Sequence, residues 1–261
     1  MNYWEALVLA FIEGLTEFLP ISSTGHLILT SAWLGFSEEG FVKSFNIVIQ
    51  SGAILSVLVL YWKRFLPNLE FYKKLFIAFF PAAVIGLLVK NHIDAILGSV
   101  LVVALALIAG GFVLIWSDKA FPQSQHGGKT IHSLTWSDCL KLGLIQCFAF
   151  IPGVSRSGAT IVGGLYLGMQ RKEAAEFSFF LAVPTLAGAS LVKSLPLLKT
   201  FEAHQMGLLL FGTFFSFVFA LIAIRFFIGL VSRFGFKHFG YYRIILGVVI
   251  LISLYLGNVN S

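Results

Sequence analysis

Followed from one end to the other, the chain alternates between long apolar runs and short polar connections. Runs of about 20 apolar residues match the hydrocarbon thickness of a bilayer, whereas runs of 10 to 14 re-enter the membrane or stay inside the protein. Six runs are full-length candidates for spanning helices: Phe45–Trp62, Leu75–Val89, Ile96–Trp116, Ala174–Val192, Leu208–Val231 and Ile244–Leu256, the last short enough that its helix can start earlier. Four others are short or interrupted by polar groups: Trp4–Leu19, Leu27–Phe36, Cys139–Ile151 and Ala159–Met169. They form two pairs, and each pair meets at a turn of Pro, Gly and Ser. Such backbone is tolerated at membrane depth only where protein or a wet cavity satisfies its polar groups.

The two pairs resemble each other. At an offset of 133 residues Glu13 falls on Gln146, Ser22 on Ser155, Gly25 on Gly158 and Leu34-Gly35 on Leu167-Gly168, while Pro20 and Pro152 miss by one. If each pair is a re-entrant hairpin, Lys63, Arg64, Lys73, Lys74, Lys119, Lys129, Lys141, Arg171, Lys172, Arg233, Lys237 and Arg243 share one face. Lys43, Lys90, Lys193 and Lys199 fall on the other, and Arg156 and Arg225 within segments. Twelve against four places the first set in the cytoplasm. The hairpins then enter from opposite sides. The expected fold is an all-α polytopic membrane protein with about six full transmembrane helices and two re-entrant helix hairpins in an inverted-topology repeat. Such repeats place a site near the midplane, where half-helix N-termini face each other.

Composition agrees. Of 261 residues 58% are hydrophobic and 11% charged, against about 25% charged in soluble domains. One membrane domain, residues 1–261, is expected, with repeat halves roughly 1–116 and 139–261 around a polar loop, 117–138, too short to fold alone. Met1 to Phe18 does not read as a secretory signal, because it lacks a basic start and carries Glu13 and Glu17. Cys139 and Cys147 have no metal or disulfide spacing and read as reduced packing residues. The net charge of +6 follows from the cytoplasmic bias and calls for no nucleic acid partner.

The chemistry collects at the two turns. Ionisable groups at membrane depth cost about 3 kcal/mol each, so by default they mark function. Glu13 and Glu17 stand at i, i+4 on one helix face. Two such carboxylates share a proton, bind a divalent cation or pair with a base. Ser22, Ser23, Thr24, Gly25 and His26 lead into the next short helix, where a hydroxyl caps and free N–H groups favour an anion. The second turn, Pro152 to Thr160, is built alike and adds Arg156, whose planar fork suits phosphate oxygens. Arg156 can also pair with Glu13 or Glu17 and release that pair when ligand arrives. Phosphate-binding groups in apolar surroundings fit a membrane-embedded phosphatase for a lipid phosphate or diphosphate. A transporter or flippase shares the repeats and broken helices, but explains less well why hydroxyls and His26 crowd an anion site. His92, His126, His132, His204 and His238 lie in or beside loops without ligand spacing, and Arg225 reads as a snorkelling or helix-pairing side chain.

At these residues the chain resembles the undecaprenyl-diphosphate phosphatase family, also known for bacitracin resistance. The resemblance rests on Glu-x-x-x-Glu at Glu13 and Glu17, continued through Pro20 to His26, and on Pro-Gly-x-Ser-Arg-Ser-x-x-Thr at Pro152 to Thr160. It implies hydrolysis of undecaprenyl diphosphate to the monophosphate and phosphate, recycling the carrier for cell-wall synthesis at the bacterial cytoplasmic (inner) membrane. It further implies a divalent metal, Mg²⁺ or Ca²⁺, held by Glu13 and Glu17, and a site open to the outer side. Arg156 becomes the diphosphate clamp. Ser155 and Thr160 become phosphate contacts, with Ser22, Thr24 and Ser157 as further substrate contacts. Ser23 and His26 are the candidates for nucleophile and base: His26 deprotonates an attacking Ser23, attacks directly, or activates water. A homodimer is left open. The acid-phosphatase-like lipid phosphatases are set aside, because their second histidine after Ser-Arg is absent around Val162.

Overall fold

A computed structural model describes residues 1–36, 40–66, 68–96, 98–122, 128–194 and 202–256. His126 and Lys199 lie outside the described residues, and so does the side chain of Lys193. Every regular element among the described residues is a helix: α1 (Tyr3–Thr16), α2 (Ser23–Trp33), α3 (Gly40–Leu60), α4 (Leu69–Leu88), α5 (Lys90–Ile96), α6 (Val100–Ala120), α7 (Trp136–Gln146), α8 (Arg156–Tyr166), α9 (Arg171–Ser194), α10 (Ala203–Phe234) and α11 (Lys237–Tyr255). Five of them, α3, α4, α6, α10 and α11, are long and apolar enough to cross a membrane. Their outward side chains are apolar, with Phe76, Phe112, Phe226 and Ile245 each at least 60% exposed. Soluble proteins rarely expose such continuous apolar surface; this is a membrane protein.

The helices start where capping chemistry allows, which often precedes the apolar run. Asn68 caps α4 and Lys74 pairs with Glu70 one turn on, so that helix begins at Leu69 rather than Leu75. Thr135 and Asp138 form a reciprocal capping box at the start of α7. Helix α6 runs on to Ala120, with the Ser117 hydroxyl returned to the Leu114 carbonyl, so the polar loop is shorter than the expected 117–138. Helix α7 ends at Gln146 and continues as a 3₁₀ turn, Cys147–Phe150. Both cysteines are free thiols, and Arg225 is exposed on α10.

The short pairs match closely. Adding 133 to the bounds of α2 gives those of α8, and Gly35 and Gly168 follow both helices at φ 80° and 84°. Packing follows the same exchange: α1 and α3 lie on α10, while α7 and α9 lie on α4. Helix α3 pairs with α9, and α6 with α11. The α6–α11 crossing is close because both sides are glycine. A Cβ on Gly111 would meet the Gly240 carbonyl at 2.7 Å, and one on Gly240 the Gly111 carbonyl at 2.6 Å. Small residues permit such backbone approach in membrane interiors. Between these layers Phe18 of the first turn packs edge-on against Phe179 of α9 at 5.2 Å, tying that turn to the aromatic core.

Candidate active site

The two turns that the sequence sets 133 residues apart meet in the interior. Ser22 and Ser155 precede α2 and α8 and share an unusual backbone, with φ at 70° and 75°. Each side chain accepts from the N–H three residues on, Gly25 at 3.3 Å and Gly158 at 3.1 Å. A non-glycine residue at positive φ costs about 1–3 kcal/mol, persists only where its surroundings over-determine it, and clusters at functional sites. The two serines are the only non-glycine residues at positive φ among those described.

Three groups form the centre. Ser23 Oγ–H donates to Glu17 Oε2 at 2.5 Å, and Arg156 Nη2 pairs with Glu17 Oε1 at 2.6 Å. Arg156 Nη1 also donates to the Ser178 carbonyl at 2.8 Å, while Nε has no partner. The pair is nearly closed off, with 10% of the Arg156 side chain and 5% of that of Glu17 exposed. Glu17 therefore joins the turns, facing a hydroxyl from its own half and a guanidinium from the other. Of the two pairings open to Arg156, this structure makes the one to Glu17.

The remaining expected site residues divide. Ser157 Oγ donates to the Leu19 carbonyl at 2.7 Å and lies 3.0 Å from Ser155 Oγ, holding turn to turn. Thr160 is turned into its own helix and towards Ser178 Oγ, 2.8 Å away. Thr24 is half-buried, and its hydroxyl makes no hydrogen bond among the described residues. His26 hydrogen-bonds neither Ser23 nor Glu17. Its Nδ1 lies 2.8 Å from the Ser22 carbonyl and its Nε2 2.7 Å from the Tyr242 hydroxyl, with the two rings stacked at 5.7 Å. A carbonyl only accepts, so Nδ1 carries the proton, and in the neutral ring Nε2 accepts from Tyr242.

Glu13 is fully buried beside the Glu17 carboxyl, and no N–H or O–H donor among the described residues reaches either of its oxygens. Its counterpart Gln146 is also buried and leaves Nε2 unpartnered, while its Oε1 accepts from Thr185. A buried carboxyl that no donor reaches requires a proton or a cation. Its bare oxygens are the hard donors that Mg²⁺ and Ca²⁺ take. Among the described residues no group of three or more His, Cys, Asp and Glu converges into a cage. The donor set thus fits a cation held by one or two carboxylates and substrate phosphate, a usual Mg²⁺ arrangement.

Arg243 corrects the sequence reading, which set it among the basic residues of the cytoplasmic face. Helix α11 begins at Lys237, so Arg243 lies two turns inside it and is 1% exposed. All five of its N–H donors are used. Nε donates to Leu107 O at 3.3 Å, Nη1 to Pro20 O at 3.0 Å and Val154 O at 2.9 Å, and Nη2 to Ala106 O at 3.0 Å and Gly153 O at 2.8 Å. One guanidinium therefore gathers carbonyls from the first turn, the second turn and α6. Gly153 comes this close at φ 95°, where a Cβ would lie 2.6 Å from the Val103 carbonyl. The sequence signal was weak, since an arginine after Tyr241 and Tyr242 has the pattern of an interfacial anchor. Tyr242 and Ser178 were missed for a different reason: neither carries a charge or a motif.

A family profile described as bacitracin resistance protein BacA matches residues 6–249. A Bdellovibrio bacteriovorus protein named undecaprenyl-diphosphatase is 60% identical over 258 residues, covering 99% of this chain and 98% of the relative. Relatives of the same name from Flavobacterium psychrophilum and Aquifex aeolicus are 51% and 44% identical over at least 95% of each chain. On the extent of these matches, and with both motifs meeting in one buried network, the chain belongs to the bacitracin resistance protein BacA family.

Proposed function

We propose that the joined turns hydrolyse undecaprenyl diphosphate to undecaprenyl phosphate and inorganic phosphate, with Ser23 as nucleophile and Glu17 as its base. The observation that carries the assignment is the Ser23–Glu17–Arg156 chain, with contacts of 2.5 and 2.6 Å. A hydroxyl becomes a competent nucleophile when an adjacent base takes its proton and a third group orients that base. Glu17 and Arg156 fill those two places.

On this reading the terminal phosphate draws the Arg156 guanidinium towards it, using the unpartnered Nε and the Nη2 now spent on Glu17. Glu17, released from its counter-ion, is then a better acceptor. Ser23 Oγ attacks the terminal phosphorus, its proton passes to Glu17, and the bond to the bridging oxygen breaks. Undecaprenyl phosphate leaves with that oxygen. Glu17 gives its proton to the departing phosphate oxygen, then as a carboxylate takes one from the water that attacks the seryl phosphate, and passes it to Ser23 Oγ as the Oγ–P bond breaks and inorganic phosphate leaves. The N–H groups opening α2 and α8 face developing negative charge as fixed donors. A divalent cation held by Glu13 and Glu17 with phosphate oxygens would neutralise charge on the diphosphate. His26, bonded to Ser22 and Tyr242, positions the first turn in this scheme.

The finer architecture is part of the same reading. Helix α9, of 24 residues, is the sixth span, since about 36 Å of helix exceeds the bilayer core. Helices α1, α2, α7 and α8, at 11 to 14 residues, are too short to cross and form two re-entrant hairpins. The exchange of α1 and α3 on α10 for α7 and α9 on α4 supports an inverted repeat. With Arg243 moved inside, eleven of the face's basic residues remain to place it in the cytoplasm.

The test is phosphate release from a polyprenyl diphosphate by detergent-purified protein. Ser23→Ala is expected to lower kcat by about 10³-fold or more, and His26→Ala by less than the roughly 10²-fold that loss of a general base costs. A Ser23→Ala variant that keeps its rate while His26→Ala abolishes it would remove Ser23 from the assignment. No release from folded wild-type protein would favour a transporter.

A further inference from the structure

A cavity of about 300 Å³ opens beside the turn Trp62–Phe65. That turn joins α3 and α4, both long enough to cross the membrane, so the cavity lies at a bilayer surface. Its lining combines Lys63, Arg64 and His132 with Asn68 and an apolar wall that includes Phe71 and Phe180. No acidic side chain lines it.

The cavity's cations, like exposed Lys73, are not held by carboxylates among the described residues, whereas several other basic residues are. Lys74 pairs with Glu70, Lys129 with Asp138, Arg171 with Asp118 and Lys172 with Glu176. Lys63 and Arg64 make no carboxylate pair within 4.0 Å among the described residues. Lys63 rests on the face of Trp62 at 5.7 Å, and Arg64 Nη1 lies 3.1 Å from His132 Nε2, a neutral partner. The frame around them is fixed. Lys74 donates to the Ile131 and His132 carbonyls at 3.4 and 2.6 Å, and the Phe71 and Phe180 rings pack edge-on at 5.5 Å. Leu66 lines the cavity, and both it and Trp62 of the adjoining turn are more than half exposed. A plain positive-inside bias requires charges on this face but not their convergence on a preformed cavity with an apolar wall.

We propose that this cavity is a headgroup site for an anionic phospholipid, with Lys63, Arg64 and His132 holding the phosphate and the acyl chains leaving past Leu66 and Trp62. Basic pockets between membrane helices bind anionic headgroups in this way. Inorganic phosphate offers the same anionic oxygens without the lipid, and the experiment separates the two.

Full-length protein is stripped of lipid in a neutral detergent and titrated with dioleoyl phosphatidylglycerol, with dioleoyl phosphatidylcholine or with inorganic phosphate, and native mass spectrometry counts bound molecules. One phosphatidylglycerol is expected to bind at least tenfold more tightly than phosphatidylcholine. Lys63→Ala/Arg64→Ala is expected to remove that preference, while Lys141→Ala/Lys237→Ala, with equal charge loss at exposed positions, keeps it. Unchanged phosphate release in both double variants shows that they are folded. Equal weakening in both variants, no preference in the wild type, or inorganic phosphate displacing the lipid at equal concentration would each overturn the proposal.

Discussion

Arg243 shows how a single side chain sets the geometry of the centre. Its planar fork reaches five carbonyls from three separate segments, among them Pro20 and Val154 in the two turns. Lysine offers three donors from one nitrogen and cannot cover five acceptors in a plane. Arg243→Lys is therefore expected to fold but to lose at least tenfold in phosphate release. Arg243→Met leaves buried carbonyls unpaired and is expected to cost about 3 kcal/mol or more, read as a lower midpoint of thermal unfolding in detergent. An Arg243→Lys variant of full activity would show that the turns hold their shape without it. Much of the rest of the centre was legible in the sequence. Glu17, Ser23 and Arg156 carry charge or a hydroxyl where apolar residues are the rule, so their cost in membrane marks them out. What was not legible is direction. Sequence placed His26 next to Ser23, but the helix turns its imidazole towards Tyr242 of α11, and only a fold can show that Glu17 is the group Ser23 meets.

Among the elements, α6 and α11 form the seam that brings Arg243 into place. The seam is close because Gly111 and Gly240 lie backbone to backbone. Gly240→Leu would push the helices apart and draw Arg243 away from Pro20 and Gly153. A fall in the thermal midpoint together with loss of phosphate release is expected, whereas Gly229→Leu, at a position with open space around it, changes neither. Equal behaviour of the two variants would show that the close crossing is unimportant. Helix existence was readable from apolar run length, as for α3, α6 and α10. Helix ends were not, because capping by Asn68 or Thr135 extends a helix into polar sequence that a hydropathy reading discards. The same rule hid Arg243. Its helix starts seven residues ahead of the apolar run at Ile244, so an interior arginine was counted with the basic face.

For the molecule as a whole, the two halves are unequal partners in one centre. The first supplies Glu13, Glu17 and Ser23; the second supplies Arg156, and at the position of Glu13 it carries the uncharged Gln146. Two segments of matching backbone, down to the positive φ at Ser22 and Ser155, thus carry different charges. The offset of 133 already led to the expectation that the two turns face each other and that Arg156 can pair with Glu13 or Glu17; which carboxylate it meets was not legible, and the structure makes the pair to Glu17. Residues that act as a unit show non-additive losses, because removing either one disables the whole. The most direct measurement is therefore kcat for phosphate release in a cycle of Ser23→Ala, Arg156→Ala and the double variant. If the halves form one centre, each single change lowers kcat by about 10³-fold or more and the double variant is no worse than the weaker single. Losses that multiply, or a single variant that keeps the wild-type rate, would contradict a shared centre.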